Sequence, residues 1–348
     1  MKKLAFIVIS LLLSGSCFIL NAQTKTSGYK LVNKMHIPGD GGWDYLTVDE
    51  SSGRIYISHS TVVDVVDEKT GTFLGMVPDT KGVHGIAIAP ELNKGFISNG
   101  RDSSVTIIDL KLLAFIDKVS VTGQNPDAIL YDPFSRKVFV YNGRSANATV
   151  IDGKTNKIVT TIKLDGKPEF SVTDGKGKIY VNIEDKSEIA CINSTTLKVE
   201  NVWSITPGEE PSGLALDNDN HRLFAVCGNK LMVVVDALSG KVITTLPIGD
   251  GSDGVAFDPV LKRVYSSNGE GTLTIVSEVN PDRFEVLENL PTQAGARTIT
   301  IDKKTHHIFL TTAEYGPMPE KTAENPRPRP QIKPGTFVLL EFAPVDLP

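Results

Sequence analysis

The chain has 348 residues, of which 40% are hydrophobic and 22% are charged, and its formal net charge is −5 at pH 7. This composition is typical of a globular protein with a sizeable core and excludes a disordered chain. The negative net charge also argues against nucleic acid as a partner.

The N-terminal segment MKKLAFIVISLLLSGSCFILNAQ has two lysines, a long apolar run and a polar exit. This order predicts a signal peptide over residues 1–22 and a protein that is exported to the periplasm or secreted. A lipid anchor on Cys17 is the alternative, but Ser14 stands where a lipobox usually carries leucine. No later apolar run is long enough to cross a membrane. Cys191 and Cys227 are expected to be free thiols.

From Trp43 onward the chain repeats a unit of 40 to 44 residues, and seven copies can be aligned, for example KGVHGIAIAP and GSDGVAFDP. Each copy has short apolar stretches separated by turns rich in Gly, Asn, Asp, Pro and Ser, with no helical segment. Such a repeat is typical of a β-propeller. We therefore predict an all-β fold, a seven-bladed β-propeller with four antiparallel strands per blade, in one domain over residues 23–348.

The two ends of the repeat region complement each other. Tyr29 to Pro38 has the pattern of an outer strand with no third strand before it, and GTFVLLEF at 335–342 has that of a third strand with no outer strand after it. We predict that they pair and close the last blade, which removes two free sheet edges. The motif GDGSDG at 249–254 matches G-x-G-x-x-G, but a strand follows it instead of a helix, so it predicts a blade junction and no dinucleotide site.

Two segments carry a resemblance to a known family, KVFVYNGRSANATVIDGKTNKIVTTI at 137–162 and GFISNGRDSSVTIID at 95–109. They resemble the YVTN-repeat seven-bladed propellers, although the tetrapeptide is degraded to FISN, FVYN and YSSN. The resemblance implies the propeller fold. It leaves the function open, because such propellers include binding and surface proteins and are similar to lactonase-type enzymes.

Polar side chains are predicted to gather on one rim of the disc, where each inner strand begins and each second strand ends. A concave site with several kinds of polar group is the default hypothesis for ligand binding. The alternative is a hydrated central channel whose wall is polar for that reason alone. The predicted ligand-binding residues are Asp44, His59, His84, Asn99, Arg101, Asp127, Asn142, Arg144, Glu169, Glu184, Asp253, Asn268, Glu270, Arg297 and Glu314.

Three functions are compatible with this rim, and binding of a small polar or anionic ligand is preferred. In that reading Arg101, Arg144 and Arg297 hold the ligand, and three amides orient it, those of Asn99, Asn142 and Asn268.

The second reading is a lactonase- or lyase-type enzyme with a divalent cation such as Ca²⁺, held by oxygen ligands. Its candidate metal ligands are Asp44, Asp127, Glu169 and Asp253, and its candidate catalytic residues are His59, His84 and Glu169. The third reading is a scaffold that docks another exported protein. Neither the ligand-binding protein nor the docking scaffold requires a cofactor. The protein is expected to be a monomer.

One stretch breaks the repeat. The insertion 316–334 separates the second and third strands of blade 7 and contains six prolines. Proline excludes a helix or a strand interior and favours an extended arm. We expect this arm to lie at the polar rim, with Arg327 and Arg329 facing the acidic residues as a lid; a solvated loop without contacts is the alternative.

Overall fold

The structure, a computed structural model, describes residues 26–322 and 328–345. That part of the chain consists of strands and three single-turn 3-10 helices, at Pro90–Leu92, Gly143–Ser145 and Glu184–Lys186. The predicted signal peptide, residues 1–22, and Cys17 lie outside the described residues. Among the described residues no helix has the length and apolar character needed to span a membrane.

Seven four-stranded antiparallel sheets form the blades, which confirms the predicted β-propeller. Blade 1 contains β2 (Trp43–Asp49), β3 (Arg54–His59), β4 (Val62–Asp67) and β5 (Phe73–Val77). Blade 2 contains β6 (Val83–Ala89), β7 (Lys94–Asn99), β8 (Ser104–Asp109) and β9 (Ala114–Ser120). Blade 3 contains β10 (Pro126–Asp132), β11 (Lys137–Asn142), β12 (Asn147–Asp152) and β13 (Ile158–Lys163). Blade 4 contains β14 (Pro168–Thr173), β15 (Lys178–Ile183), β16 (Glu188–Asn193) and β17 (Lys198–Ser204).

Blade 5 contains β18 (Pro211–Asp217), β19 (Arg222–Cys227), β20 (Leu231–Asp236) and β21 (Val242–Pro247). Blade 6 contains β22 (Ser252–Asp258), β23 (Arg263–Asn268), β24 (Thr272–Asn280) and β25 (Arg283–Pro291). Blade 7 contains β26 (Ile299–Asp302), β27 (His307–Thr312), β28 (Val338–Pro344) and the N-terminal β1 (Tyr29–His36). The first strand of every blade contacts those of both neighbours, so seven inner strands enclose a central channel.

Blade 3 shows how the sequence builds one unit. In β11 the side chains of Phe139 and Val140 point to opposite faces and both are fully buried, because each face of a blade packs on a neighbouring blade. The hairpin after β12 is fixed by Asp152, whose Oδ1 accepts the backbone N–H of Thr155 at 2.7 Å. Asn156 then adopts φ +62°, a left-handed conformation that asparagine tolerates in turns.

The predicted closure of the ring is confirmed. Strand β1 pairs with β28 in antiparallel register, from Tyr29 opposite Pro344 to His36 opposite Val338. The Tyr29 hydroxyl donates to the backbone oxygen of His306 at 2.8 Å and lies 2.9 Å from the Tyr265 hydroxyl. The N-terminal strand therefore joins blade 7 and also contacts blade 6.

Cys191 and Cys227 are free, as predicted, and both are buried. Burial raises the pKa of the Cys191 thiol to about 11 and that of Cys227 to about 12, so both stay protonated at neutral pH.

An aromatic pair divides the central channel into two compartments. Tyr45 of blade 1 reaches across to Phe170 of blade 4, with ring centroids 5.3 Å apart. The aligned residues of the other five inner strands are small, which leaves room for the two rings: Gly85, Ala128, Gly213, Gly254 and Thr298. We call the polar recess at the strand starts the chamber, the aromatic pair its floor, and the space beyond the floor the lower channel.

Candidate functional site

The chamber is formed by the second residue of the inner strand in blades 1 to 6 and, in blade 7, by the aligned residue Arg297, which precedes β26 by two positions. These side chains are half-buried, apart from that of Glu169, which is buried. Going round the ring they are Asp44, His84, Asp127, Glu169, Ser212, Asp253 and Arg297. The local backbone helps to hold them: the N–H of Asp44 donates to Ser58 Oγ at 3.0 Å, and Thr298 Oγ1 donates to the Asp44 carbonyl at 2.8 Å. The repeat thus brings seven residues, far apart in sequence, to one recess.

His84 lies between two carboxylates. Its Nδ1 is 2.6 Å from Asp44 Oδ2 and 3.5 Å from Asp127 Oδ1. Burial alone would lower the pKa of His84, but the hydrogen bond to Asp44 and the charge of Asp127 outweigh it and raise this pKa to about 9. His84 is therefore an imidazolium at neutral pH.

Arg297 connects blades 6, 7 and 1. Its Nε donates to Asp253 Oδ2 at 2.8 Å, and its Nη2 donates to the backbone oxygen of Trp43 at 3.0 Å. The same nitrogen lies 3.6 Å from Asp44 Oδ1. Burial raises the pKa of Asp253, with the negative charge of Asp44 adding to the effect and Arg297 opposing it. The guanidinium is therefore already shared by two carboxylates.

Lys167 is a chamber cation that sequence analysis did not identify. Its Nζ lies 2.6 Å from Glu169 Oε1 and also pairs with Glu184. Lys167 stands two residues before Glu169 and one before Pro168, where blade 4 begins. The signal was available in the sequence, because the other six units have Gly, Asn or Glu two residues before the chamber residue and only this one has lysine there.

Two chamber acids have raised pKa values. Burial first, and repulsion by Asp127 second, raise the pKa of Glu169 to about 8 despite the neighbouring Lys167. Burial also raises the pKa of Asp127 to about 6, against the attraction of His84. Glu169 is therefore protonated at pH 7. Perturbed acids that converge in a cleft are typical of functional sites.

The floor of the chamber carries a phenol that sequence analysis also missed. Burial raises the pKa of Tyr45 well above its ordinary value, and the charges of Asp127 and Glu169 add to this effect. Its hydroxyl is therefore neutral. The signal in the sequence was two large residues, Tyr45 and Phe170, in a column otherwise filled by glycine and other small residues.

The structure places His59 away from the chamber. Its ring is 2% exposed, its Nδ1 lies 2.8 Å from Asp64 Oδ2, and it packs on Phe337 with ring centroids 4.2 Å apart. Ser60, the next residue, turns the chain at φ +59°. The expected catalytic role of His59 is not supported by this position, since a fully covered ring cannot reach a ligand.

The three predicted orienting amides, those of Asn99, Asn142 and Asn268, are also fully buried. Each donates to hydroxyl or amide oxygens of its own blade, as when Asn142 Nδ2 bonds Asn147 Oδ1 at 2.7 Å and Thr149 Oγ1 at 3.0 Å. These amides hold the second and third strands together. Their recurrence at the ends of second strands reflects the blade, not the ligand.

The remaining predicted residues lie on the outer rim around the chamber. Arg101, Arg144, Glu270 and Glu314 are exposed, and Glu184 is half-buried. Glu314 pairs with Lys333 at 3.1 Å. Within the described part of the chain, Arg101 and Arg144 form no ion pair.

The proline-rich arm borders the chamber on the side of blades 6, 7 and 1. Its base is a short ribbon, in which Tyr315 pairs with Ile332 and the N–H of Gly316 donates to the Gln331 carbonyl at 2.8 Å. Arg329 and Ile332 line a cavity of about 750 Å³ together with Asp253, Arg297 and Trp43. Arg327 lies outside the described residues. Whether the arm opens and closes as a lid stays a prediction.

The chamber could also hold a metal ion. Asp44, His84 and Asp127 each offer one ligand atom, and these atoms all lie within 4.8 Å of one another. Two of the four predicted metal ligands, Asp44 and Asp127, therefore share a site, whereas Glu169 and Asp253 are paired with Lys167 and Arg297. A metal on His84 requires the neutral imidazole, so it would displace a proton.

Comparisons with known proteins support the fold. The chain is similar to a chain of hydrazine synthase from Kuenenia stuttgartiensis, with a TM-score of 0.67 and 18% identity over 79% of this chain and 94% of that chain. It is also similar to a chain of the mitotic checkpoint complex, with a TM-score of 0.73 and 11% identity over 99% of both chains. No protein-family model and no curated protein matches the sequence. At these identities the likeness shows a β-propeller fold alone.

Proposed function

We propose that the chamber binds a small polar ligand that carries a positive charge, in a protein that residues 1–22 direct out of the cell. The observation that carries this proposal is the charge balance of the chamber. Five carboxyl groups, those of Asp44, Asp127, Glu169, Glu184 and Asp253, face three cations, those of His84, Lys167 and Arg297, so that anions remain in excess even with Glu169 protonated.

The excess of acids is felt between blades 3 and 4. Asp127 and Glu169 come from adjacent inner strands and repel each other, although Lys167 pairs with Glu169. Burial first, and this repulsion second, keep a proton on Glu169 at pH 7. A ligand ammonium placed there would replace that proton and relieve the repulsion. An anionic ligand, which the arginines suggested, suits the chamber less, because Arg297 is already shared by Asp253 and Asp44.

Calorimetric titration with putrescine, glucose and citrate tests this proposal. We expect putrescine to bind, and Asp127→Asn or Glu169→Gln to weaken its binding at least tenfold, since each removes a carboxylate. The matched control is Asp165→Asn, whose side chain is 81% exposed outside the chamber. The affinity for putrescine should rise between pH 7 and pH 9 as Glu169 loses its proton. Citrate binding in the absence of putrescine binding would contradict the proposal.

A second candidate is the enzyme with a divalent cation, and the three convergent ligand atoms of Asp44, His84 and Asp127 favour it. Titration with Ca²⁺ and Mn²⁺ separates the two candidates. Metal binding in that trio should be lost in Asp44→Asn and His84→Gln and retained in Glu169→Gln, whereas putrescine binding should be weakened by Glu169→Gln. We also propose that the chain is a YVTN-repeat protein, on the strength of the segments 95–109 and 137–162.

A further inference from the structure

The lower channel contains two adjoining cavities beyond the aromatic floor. They have volumes of about 560 Å³ and 390 Å³ and share wall residues that include Val48, Leu130 and Ile299. Together they contact the inner strands of all seven blades. Pockets of about 300–1,000 Å³ with apolar walls are typical small-molecule sites.

Aliphatic side chains make up the larger part of the wall of the lower channel, and hydroxyl groups such as those of Ser171 and Thr300 make up part of the rest. Its half-buried aliphatic residues are Val48, Ile88, Leu130, Val172, Leu216 and Ile299. The hydroxyls of Thr47 and Thr173 are committed elsewhere, since Thr47 Oγ1 donates to the Ile86 carbonyl at 2.9 Å and Thr173 Oγ1 donates to Asp132 Oδ1 at 2.8 Å. Water in such a space has few hydrogen-bonding partners, so a hydrocarbon can displace it at little cost.

The mouth of the lower channel carries two lysines. Lys304 lines the larger cavity and Lys303 the smaller one, and Lys304 Nζ donates to the backbone oxygen of Glu50 at 2.5 Å. Glu50 is the neighbouring acid of the mouth, and its Oε1 accepts the N–H of Lys303 at 3.4 Å. The carboxylates of Asp49 and Asp302 are buried and accept hydrogen bonds from their own turns. Among the residues that line the two cavities, the exposed charges are therefore the ammonium groups of Lys303 and Lys304, whereas Asp49 is buried and Glu50 is half-buried.

We infer that the lower channel is a second binding site, for a linear hydrocarbon chain with a carboxylate head, of the fatty-acid class. The chain lies along the aliphatic wall and ends against Tyr45 and Phe170, and the head stays at the mouth beside Lys303 and Lys304. The floor separates this ligand from the chamber, so the site is independent of the proposed function. An anionic head fits because the exposed charges at the mouth are those of two lysines.

Titration of the full-length mature chain with carboxylates of eight, ten and twelve carbons, below their micellar concentrations, tests the site. We expect one molecule bound per chain and an affinity that rises about threefold to fourfold for each added methylene, which corresponds to about 0.8 kcal/mol per buried CH₂. Independence of chain length would overturn the inference without any variant. Putrescine binding in the chamber, measured on the same sample, should be unchanged by laurate, so failure at one site is distinguishable from failure at the other.

Two sets of variants locate the bound chain and its head. Leu130→Trp fills the channel and should reduce laurate affinity at least tenfold, whereas Leu112→Trp, at a side chain that is 77% exposed on blade 2, should not. Lys303→Glu with Lys304→Glu should weaken laurate about tenfold and strengthen dodecyltrimethylammonium, while Lys157→Glu, on an outer hairpin of the same rim, should do neither. Equal binding of both amphiphiles by the wild type would overturn the anionic head, and unchanged binding by a folded Leu130→Trp protein would overturn the site.

Discussion

At the residue scale, His59 and His84 show that the position of a histidine in the blade decides whether its ring can reach a ligand. His59 ends a second strand and is covered by Phe337, whereas His84 begins an inner strand and lies between Asp44 and Asp127. Both histidines were expected in the site, because both fall at the predicted polar rim. The difference between the two histidines comes from how each strand is placed against the neighbouring strands, and a single sequence does not give that placement directly.

The surroundings of His84 give a prediction for stability. Its pKa is about 9 in the folded protein against 6.5 in the unfolded chain, so its contribution is fully present below pH 6.5 and is lost as the pH rises through 9. His84→Gln should therefore reduce the free energy of unfolding by roughly 3 kcal/mol at pH 6, since each pKa unit corresponds to about 1.4 kcal/mol. Urea unfolding of both proteins at pH 6 and pH 10 measures this difference. A deficit of equal size at both values would mean that His84 acts by packing alone.

At the element scale, strand β1 decides whether the ring is closed. It pairs with β28 along its length, and Met35 and Ile37 enter the core between blades 7 and 1. The sequence predicted this pairing because each terminus supplied the strand that the other lacked. The aromatic floor was not predicted, although Tyr45 and Phe170 stand out in their column, because alignment shows which residues are large and not that two of them meet across the axis.

A chain that begins at Gly39 should lose the closure of blade 7. Its β28 would present a free edge, and Tyr265 would lose the Tyr29 hydroxyl 2.9 Å away. We expect loss of cooperative unfolding, or aggregation, in thermal denaturation followed by circular dichroism. Tyr29→Phe is the milder variant and should cost about 1–2 kcal/mol, because it removes two hydrogen bonds and keeps the strand. Wild-type melting of the truncated chain would show that β1 is dispensable.

At the scale of the whole molecule, paired carboxylates join neighbouring blades at two seams. Glu68 of blade 1 bonds Asp302 of blade 7, and burial first, with this bond second, raises the pKa of Glu68 to about 8. Glu278 of blade 6 bonds Asp217 of blade 5, and burial followed by that bond raises its pKa to about 7. Each glutamate thus holds a proton that it shares with an aspartate. The contacts between these blades therefore depend on two glutamates that lose their protons in alkaline solution.

The sign of the effect on stability follows from these pKa values. Both glutamates have folded pKa values above the ordinary 4.5, so their contribution is fully present below pH 4.5 and is lost as the pH rises through about 7 and about 8. Glutamine keeps the donor and cannot ionise. Glu68→Gln and Glu278→Gln should match the wild type at pH 5 and exceed it at pH 9 by on the order of 1–3 kcal/mol each. Urea unfolding across this range provides the measurement, with the exposed Glu209→Gln as control. Parallel curves for all four proteins would mean that the seams do not set the pH dependence of the ring.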